Sequence, residues 1–427
     1  MTRVGMTRVG MTGVGMTGVD IAAAVGAPGS LDGVIVLDVS RVVAGPYCSQ
    51  ILADLGATVI KVENPRDPDY TRSFPPFMNG DPDGFSAFYA QYNRGKQGIT
   101  IDLGTDEGKQ VLRDLVAKAD ILVENFRPGT MDKLGVGYDS LKEINPALVY
   151  TAISGYGQTG PLSRRPAYDN TAQAAGGLWS MNGYADQPAV RVGTIIGDLS
   201  ATMFGVIGTL AALRHAERTG VGQLVDVAQT DSVVAMTETA VVDYTVSGKV
   251  AGQLGNQHPF VRPYELFPCK DGFVFFGGYT DKFWRITCEM FGQPEIADDP
   301  EIDTMTKRFV DEVYERRVRP LINGWFADYT KSELENMAGD RVPMTAIKSM
   351  DEVVVDEQTL AREMIVDVDY DALGVLRMFG QPIKLGETPA TPARKANLVG
   401  EHTDSVLKDL AGYSESHIEK LRELGAI

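Results

Sequence analysis

Three carboxylates lie within one stretch of small residues between positions 165 and 198: Asp169, Asp186 and Asp198. Glycine and alanine are frequent there, and such residues let a backbone and a ligand approach closely. A carboxylate in that setting is costly unless it is solvated, paired or chemically used. The composition therefore predicts that one of these acids acts on a bound substrate.

Each acid also has a simpler interpretation. Asp198 precedes a long apolar run, so it is expected to cap the N-terminus of a helix. Asp169 either caps a turn or lines the site. Asp186 lies in the loop sequence NGYADQP, where an aspartate commonly forms a turn. The residues alone leave the choice between Asp169 and Asp186 open.

Basic side chains follow the predicted strands of the N-terminal half. Each one alone could be a solvated surface charge. Together, on a chain with a formal net charge of -17, they predict a pocket for a phosphorylated ligand. The set comprises Arg41, Arg72, Arg94, Lys96, Arg127 and Lys133.

Strands that alternate with helices must position these side chains. Short apolar runs predict the strands, and Gly45-Pro46 predicts the start of the first helix. This order is typical of a parallel, doubly wound α/β sheet, whose ligands bind beyond the carboxyl ends of the strands. The predicted strands are 34–39, 58–62, 99–103, 121–124, 148–153 and 223–227, and the predicted helices are 106–117, 201–218 and 231–244.

The pattern changes after about position 245. An Asp271-Gly272 turn between two apolar runs predicts a β-hairpin over 264–277. Amphipathic helices are expected at 282–291 and 308–325, and a last helix at 414–424. We therefore expect a smaller α+β domain over 245–345 and a large domain over 31–225 that residues of about 350–427 complete.

The N-terminus repeats Met-Thr-X-Val-Gly. It lacks the apolar core of a signal peptide, and its glycines oppose an amphipathic targeting helix, so residues 1–29 are interpreted as disordered and outside the fold. No run of about 18 apolar residues predicts a membrane span. The scattered Cys48, Cys269 and Cys288 predict reduced thiols in a cytoplasmic protein.

Several function classes are disfavoured by what the sequence lacks. The first strand–helix turn, Val43-Ala44-Gly45-Pro46, is not G-x-G-x-x-G, and neither a P-loop nor G-x-S-x-G occurs. Dinucleotide binding, nucleotide hydrolysis and serine hydrolysis are thus not expected. The negative net charge argues against nucleic-acid partners, and the four histidines are not spaced as metal ligands, so no metal site is expected.

Six ordered motifs resemble the class III CoA-transferases, a family that includes formyl-CoA and carnitine CoA-transferases and, as a divergent branch, the α-methylacyl-CoA racemases. The motifs are LDVSRVVAGPYCSQILADLGATVIKVENP, NRGK, ADILVENFRPGTMDKLG, ISGYGQTGP, YDNTAQAAGGL and GEHTDSVL. The resemblance implies a Rossmann-like domain that binds coenzyme A and an interlocked homodimer. A CoA thioester is then a substrate, and no tightly bound cofactor is expected.

The resemblance also implies a catalytic aspartate shortly after the Gly-Gly of QAAGG, and the count places it at Asp186. Its carboxylate would attack the donor thioester and pass through a covalent aspartyl-CoA thioester. Backbone donors around Gly255 would stabilise the oxyanions. Tyr168-Asp169 stands where the racemases have His-Asp, and no histidine precedes His215, which disfavours racemisation.

Ligand contacts carried over from the resemblance depart from formyl-CoA transferase. Val43 stands where that enzyme has Gln, Asn64 where it has Arg and Ser154 where it has Lys, so Arg72, Lys96 and Lys133 are expected to replace lost contacts. The predicted substrate- and CoA-binding residues are Val43, Ala44, Arg72, Lys96, Asn125, Phe126, Arg127, Lys133, Ser154, Gly155, Tyr156, Asp169 and Gly255.

The apolar Val43 favours an acceptor larger than oxalate, such as an alkyl- or arylsuccinate or another dicarboxylate, with succinyl-CoA as donor. Two alternatives stay open. One is an α-methylacyl-CoA racemase or epimerase. The other is a non-catalytic CoA-binding subunit that pairs with an active homologue.

Overall fold

A six-stranded parallel sheet organises the N-terminal half of the computed structural model, which describes residues 29–427. The strand order is β3-β2-β1-β4-β5-β6, and every neighbouring pair is parallel. The predicted doubly wound α/β sheet is thereby confirmed. The strands are β1 (Ile35–Asp38), β2 (Thr58–Glu63), β3 (Gln97–Thr100), β4 (Ile121–Glu124), β5 (Val149–Ser154) and β6 (Leu224–Ala228).

Helices cover both faces of this sheet, because each crossover between parallel strands carries one or more of them. Leu52 and Leu213 belong to the apolar cluster on one face, and Leu112 and Leu141 to the cluster on the other. The helices up to β6 are α1 (Ala44–Asp54), α2 (Ala87–Asn93), α3 (Asp106–Val116), α4 (Thr130–Lys133), α5 (Tyr138–Leu141), α6 (Asp169–Ala175), α7 (Leu178–Met181) and α8 (Ile196–Thr219).

Helix α8 is long and apolar enough, by length and composition alone, to cross a membrane. In the structure it packs against α1, β5 and β6, and half of its most apolar window is buried. Ala201, Val206 and Leu213 lie in the core under the sheet. The apolar side chains of α8 therefore suit its place as a core helix on one face of the sheet.

The C-terminal residues return to the same sheet. Leu407, Ile418 and Leu421 share an apolar cluster with Leu37 of β1, and the Thr403 hydroxyl accepts a hydrogen bond from the Thr100 N–H at 3.1 Å. These contacts place the C-terminal residues against the parallel sheet. The last elements are α16 (Met350–Val353), α17 (Glu357–Ala361), β10 (Ile365–Asp369), β11 (Val375–Phe379), α18 (Thr403–Asp409) and α19 (Glu415–Glu423).

The middle of the chain has its own core. Phe267, Phe276, Trp284 and Phe326 are buried together in a cluster whose fully buried members all lie between positions 267 and 342. The expected hairpin is present as antiparallel strands. The elements are α9 (Gln229–Ala235), α10 (Ala240–Ser247), β7 (Glu265–Cys269), β8 (Gly272–Phe276), α11 (Asp281–Met290), α12 (Met305–Arg308), α13 (Asp311–Val313), α14 (Arg319–Phe326), α15 (Lys331–Ala338) and β9 (Met344–Ala346).

Two predicted helices are interrupted. The 231–244 segment forms α9 and α10, because Glu238 adopts a positive φ of 53° between them. The 308–325 segment contains a wider π turn at Tyr314–Val318 before Pro320. Pro320 has no N–H to donate, and its ring would clash in a regular α turn, so the wider turn accommodates it.

The five-residue repeat lies outside the described residues, and of the segment 1–29 only Gly29 is described. Gly29 packs against Gly56, and a Cβ on either would come within 2.6 Å of the other's Cα. Gly29 therefore belongs to the fold, one residue earlier than expected. The interpretation of residues 1–28 stays a prediction.

Candidate active site

A cavity of about 400 Å³ opens where the strand order reverses between β1 and β4. Ligands of doubly wound sheets bind at this place because the loops diverge there. Residues that follow β1, β4 and β5 form most of the wall, and the starts of α6, α8 and α9 close it. The lining residues are Arg41, Val42, Val43, Ala44, Tyr70, Asn125, Phe126, Arg127, Pro128, Ile153, Ser154, Gly155, Arg165, Pro166, Ala167, Tyr168, Asp198 and Gln229.

The segment between β1 and α1 is held at its backbone. The Asn125 amide accepts a hydrogen bond from the Arg41 N–H at 2.8 Å and donates one to the Arg41 carbonyl at 2.7 Å. Asp69 accepts from the Val42 N–H at 3.0 Å. Val42 has a φ of +73°, which a β-branched residue rarely adopts. These contacts fix the cavity wall in a conformation that an isolated segment would not favour.

A buried ionic network lies behind this wall. Lys96 Nζ donates at 2.8 Å both to Asp38 and to the carbonyl of Pro46 in α1. Lys61 Nζ is 3.8 Å from Asp38 and 3.6 Å from Asp69. Burial alone would raise the pKa of Asp38, but the two ammonium groups hold it well below its usual range. The network therefore joins β1, β2 and α1 by paired charges.

Asp198 is the carboxylate that lines the cavity. It is the third residue of α8, and its Oδ1 accepts a hydrogen bond from Gln229 Nε2. Removal from water and the negative charge of Asp169 raise the pKa of Asp198 to about 7. A carboxylate of that basicity is more nucleophilic than an exposed one, and a large fraction of it is ionised near neutral pH.

The expected helix-cap role of Asp198 is wrong. Helix α8 begins three residues earlier than the cap would require, with Ile195 at the cap position and no side-chain cap. The Asp198 side chain is thus inside the first turn, where its hydrogen bond goes to Gln229 of α9.

Asp169 supports this arrangement from behind. It is the first residue of α6 and is 6% exposed. Its carboxylate accepts from the Gly197 N–H and from Gln173 Nε2, each at 2.7 Å. Asp169 therefore fixes the start of α8 and directs a negative charge at Asp198, and it does not itself line the cavity.

Seven of the predicted ligand residues come together in the cavity wall: Val43, Ala44, Asn125, Phe126, Arg127, Ser154 and Gly155. They share one property, which is their position at or shortly after the carboxyl end of β1, β4 or β5. The βαβ pattern therefore located this edge correctly.

Other predicted residues lie elsewhere. Arg72 pairs with Glu63 at 2.6 Å and stacks on Tyr89, so its guanidinium is used inside the fold. Lys96 is 4% exposed, and its three N–H groups are all engaged. Both cations are thus paired inside the fold, outside the cavity that contains Asp198. Lys133 is exposed and Tyr156 is half-buried, both outside the cavity wall.

Asp186 and Gly255 both lie outside the wall of the cavity that contains Asp198. Asp186 is exposed in the loop after α7 and does not line the cavity. The Gly255 N–H donates to the Gly183 carbonyl at 2.8 Å, and Gly255 packs against the Tyr184 ring. The geometry therefore gives Asp186 neither the burial nor the place in the cavity wall that Asp198 has.

A second cavity of about 270 Å³ adjoins the first, and the two share Arg41 and Phe126 in their walls. It extends across the ends of β2 and β3, where Asn64 and Asp102 contribute polar atoms. The two cavities together form an elongated site along the carboxyl edge of the sheet. Among residues 29–427 no cluster of His, Cys, Asp and Glu has the arrangement of a metal site.

Sequence reasoning missed several lining residues: Val42, Tyr70, Pro128, Arg165, Tyr168 and Gln229. Most lie in loops whose path depends on tertiary contacts. A signal did exist for Asp198, since it is the one carboxylate in the first two turns of an otherwise apolar helix. A charge buried at that position costs free energy unless it is paired or takes part in the chemistry.

Comparison with known proteins identifies relatives over nearly the whole chain. The family profile described as "CoA-transferase family III" matches residues 31–403. The succinyl-CoA:mesaconate CoA-transferase of Haloarcula hispanica is 38% identical, covering 89% of this chain and 96% of that protein. The succinate–glutarate CoA-transferase of Agrobacterium fabrum is 37% identical, with 89% and 95% covered.

Solved structures agree with these relatives. A CAIB/BAIF family protein from Brucella suis superposes with a TM-score of 0.79 at 32% identity, covering 90% of this chain and all of that one. Rv3272 from Mycobacterium tuberculosis superposes with a TM-score of 0.78 at 27% identity, covering 88% of this chain and 99% of its own. Fold and sequence thus point to the same family.

Proposed function

This chain belongs to CoA-transferase family III and is a class III CoA-transferase, and on that premise we propose that succinyl-CoA is its donor, a dicarboxylic acid its acceptor and Asp198 its nucleophile. Relatives at 34–38% identity are named for transfer between succinyl-CoA and mesaconate, D-citramalate or glutarate. The observation that carries the proposal is one basic carboxylate, Asp198, in the cavity at the switch point of the sheet.

The reaction proceeds by exchange at two carbonyl carbons. The Asp198 carboxylate attacks the thioester carbonyl of the donor, the C–S bond breaks, and CoA thiolate leaves a mixed anhydride. The thiolate then attacks the Asp198 carbonyl and expels the donor carboxylate, which leaves an aspartyl-CoA thioester. The acceptor carboxylate attacks that thioester and releases the thiolate. Attack of the thiolate on the acceptor carbonyl forms the new acyl-CoA and frees Asp198.

Asp186 is the alternative nucleophile that motif counting favours. Its exposure in the described chain argues against it, because a mixed anhydride would meet water there. Asp198 is screened by the cavity wall and is held by Gln229. The choice between the two aspartates is therefore part of the proposal, and mapping of the CoA adduct to one of them tests it.

The adjoining cavities suit the shape of an acyl-CoA. We assign the acyl end to the cavity that contains Asp198 and the nucleotide end to the second cavity, beyond Arg41 and Phe126. Arg41 is already paired with Asp67 at 2.9 Å. Its role is therefore to shape the junction between the cavities.

Two arginines in the main cavity support a dicarboxylate. The guanidinium groups of Arg127 and Arg165 form no ion pair with any of the described residues, although the chain carries a net charge of -17. A cation left unpaired in a cavity beside Asp198 matches an anionic ligand group. The free carboxylate of a succinyl or dicarboxylate ligand supplies one.

Donor selectivity tests this substrate class. Succinyl-CoA and butyryl-CoA have acyl chains of equal length and differ in the terminal carboxylate. We expect the wild type to prefer succinyl-CoA, and Arg127→Gln or Arg165→Gln to reduce that preference about tenfold or more, since each removes a charge-assisted contact. Arg164→Gln, an exposed neighbour outside the cavity, is the matched control. Equal use of both donors by the wild type would contradict the assignment.

We also propose a homodimer and a cytoplasmic location. The dimer is supported by the exposed apolar side chains between Met236 and Phe260, which we call the 236–260 surface. The location is supported by the free thiols of Cys48, Cys269 and Cys288.

The alternative activity has its own test. Deuterium exchange at the α-carbon of an acyl-CoA without an acceptor acid would indicate a racemase and not a CoA-transferase.

A further inference from the structure

Ser154 is a buried hydroxyl without a partner at the main cavity. It is the last residue of β5, is 6% exposed, and lines the cavity that contains Asp198. Its Oγ has no hydrogen-bond partner among residues 29–427. Burying a hydroxyl without a partner costs free energy. An orphaned donor in a cavity wall therefore indicates an acceptor that a ligand brings.

Other buried serines of the fold are satisfied within the protein. Ser49 Oγ donates to Asp38 at 2.7 Å, and Ser232 Oγ donates to the Ala228 carbonyl at 2.8 Å. Ser86 Oγ donates to the carbonyl of Phe74 at 2.6 Å. Ser154 thus differs from these serines in pairing rather than in burial.

A second set of donors lines the same cavity. The N–H groups of Val43 and Ala44, at the start of the 11-residue α1, have no acceptor in the described part of the chain. The Asn125 and Asp69 contacts to Arg41 and Val42 fix the direction in which they point. Fixed donors of this kind favour an oxygen that carries negative charge.

We propose that Ser154 Oγ donates a hydrogen bond to the carbonyl oxygen of the bound thioester, together with the N–H groups of Val43 and Ala44. This inference rests on the proposed function, with Asp198 as the attacking carboxylate. When Asp198 attacks, the carbonyl π electrons move onto that oxygen and strengthen the bond. The hydroxyl proton stays on Ser154 throughout. On collapse the carbonyl re-forms and the C–S electron pair leaves with CoA thiolate.

The Ser154→Ala variant separates this role from a structural one. We expect kcat with succinyl-CoA to fall about 10²-fold, which is typical of losing one oxyanion donor. The melting temperature should stay the same or rise, because the variant removes an unpaired hydroxyl and leaves no partner behind. Ser154→Cys, with a weaker donor of similar size, should lie between the two.

Ser86→Ala is the matched control. It removes a similarly buried hydroxyl that does not line the cavity and that already donates to the carbonyls of Thr71 and Phe74. Its melting temperature should fall while its kcat at a permissive temperature stays within about twofold of the wild type. A Ser154→Ala variant that loses melting temperature in parallel with activity would overturn the catalytic role.

Adduct formation separates this inference from the proposed function. If succinyl-CoA labels Asp198 in the wild type and labels Ser154→Ala equally fast, the Ser154 role is overturned and the proposed nucleophile stands. If labelling is slowed at an unchanged melting temperature, both stand. If Asp198 is never labelled in the wild type, the nucleophile assignment fails, and the Ser154 proposal fails with it.

Discussion

Asp198 combines two demands that oppose each other. Its carboxylate must be basic enough to attack a thioester, and the cavity achieves this by removing water and placing Asp169 nearby, which raises its pKa to about 7. The same features disfavour the ionised form in the folded protein. The hydrogen bond from Gln229 offsets part of that cost. The site thus gains reactivity by giving up stability.

This trade predicts a pH-dependent effect of Asp198→Asn. The folded protein keeps the Asp198 proton between pH of about 4 and 7, where the unfolded chain releases it, so stability falls as pH rises through this window. At pH 8 the free energy of unfolding of the variant, measured by urea titration, should therefore exceed that of the wild type by about 1–2 kcal/mol. The difference is no larger because cavity water screens part of the charge. At pH 4 the two should agree. An equal difference at both pH values would contradict the shift.

The sequence alone did not identify the nucleophilic aspartate of the proposal. The composition of the 165–198 stretch drew attention to three acids, and the reactive one is among them in the proposal. Counting from the Gly-Gly motif selected Asp186 over Asp198, because the burial and the Gln229 contact that favour Asp198 arise only when α6, α8 and α9 meet. Ser154 was expected as a ligand contact, but its unpaired hydroxyl is visible only in three dimensions.

The turn between β1 and α1 is the element that shapes the cavity. Lys96 connects it to the rest of the fold by donating to Asp38, Asn93 and the Pro46 carbonyl. Burial lowers the pKa of Lys96 to about 8, against the opposing pull of Asp38. Lys96 therefore holds the turn from inside the fold, whereas the sequence predicted that it contacts the ligand.

Lys96→Met should destabilise the fold, since it leaves the Asp38 carboxylate buried with only the more distant Lys61 ammonium. We expect the free energy of unfolding to fall by about 3 kcal/mol, measured by urea titration at pH 7. Lys142→Met, which breaks an exposed pair with Asp139, should change it by less than about 0.5 kcal/mol. Similar effects of the two variants would show that the buried network is not structurally important.

Elements that arise from a local sequence pattern were predicted better than breaks that depend on the surrounding structure. The strands of the parallel sheet were located to within a few residues because their apolar runs are local. The breaks at Glu238 and at Tyr314–Val318 were not predicted. At the first, no glycine or proline marks the break. At the second, Pro320 was present, but the π turn that accommodates it was not evident from the apolar pattern.

At the scale of the whole molecule, the region around α10 leaves apolar side chains uncovered in the described part of the chain. No residue of α10 is buried, and Val246 is 81% exposed. Exposed apolar side chains that follow one another in this way indicate an interaction site. A second copy of the chain fits the resemblance to interlocked dimers. The exposed apolar residues of the 236–260 surface are Met236, Val241, Val242, Tyr244, Val246, Val250, Leu254 and Phe260.

Sedimentation velocity tests this association. We expect the wild type to sediment as a dimer, and Val242→Asp/Val246→Asp to weaken association at least tenfold, because charges would replace buried apolar contacts. Val221→Asp, at an exposed valine directly after α8, should leave it unchanged. A fully active wild-type monomer would contradict the proposed dimer. The sequence could not reveal this surface, since apolar side chains on α10 look the same whether a core or a partner covers them.

The central claim is that Asp198 becomes covalently attached to CoA during transfer. Incubation of the enzyme with succinyl-CoA alone, followed by intact mass measurement and peptide mapping, tests it most directly. We predict a gain of one CoA less one water on the peptide that contains Asp198. The adduct should be absent in Asp198→Asn and retained in Asp186→Asn. An adduct on Asp186, or an Asp198→Asn variant that transfers CoA at the wild-type rate, would contradict the account.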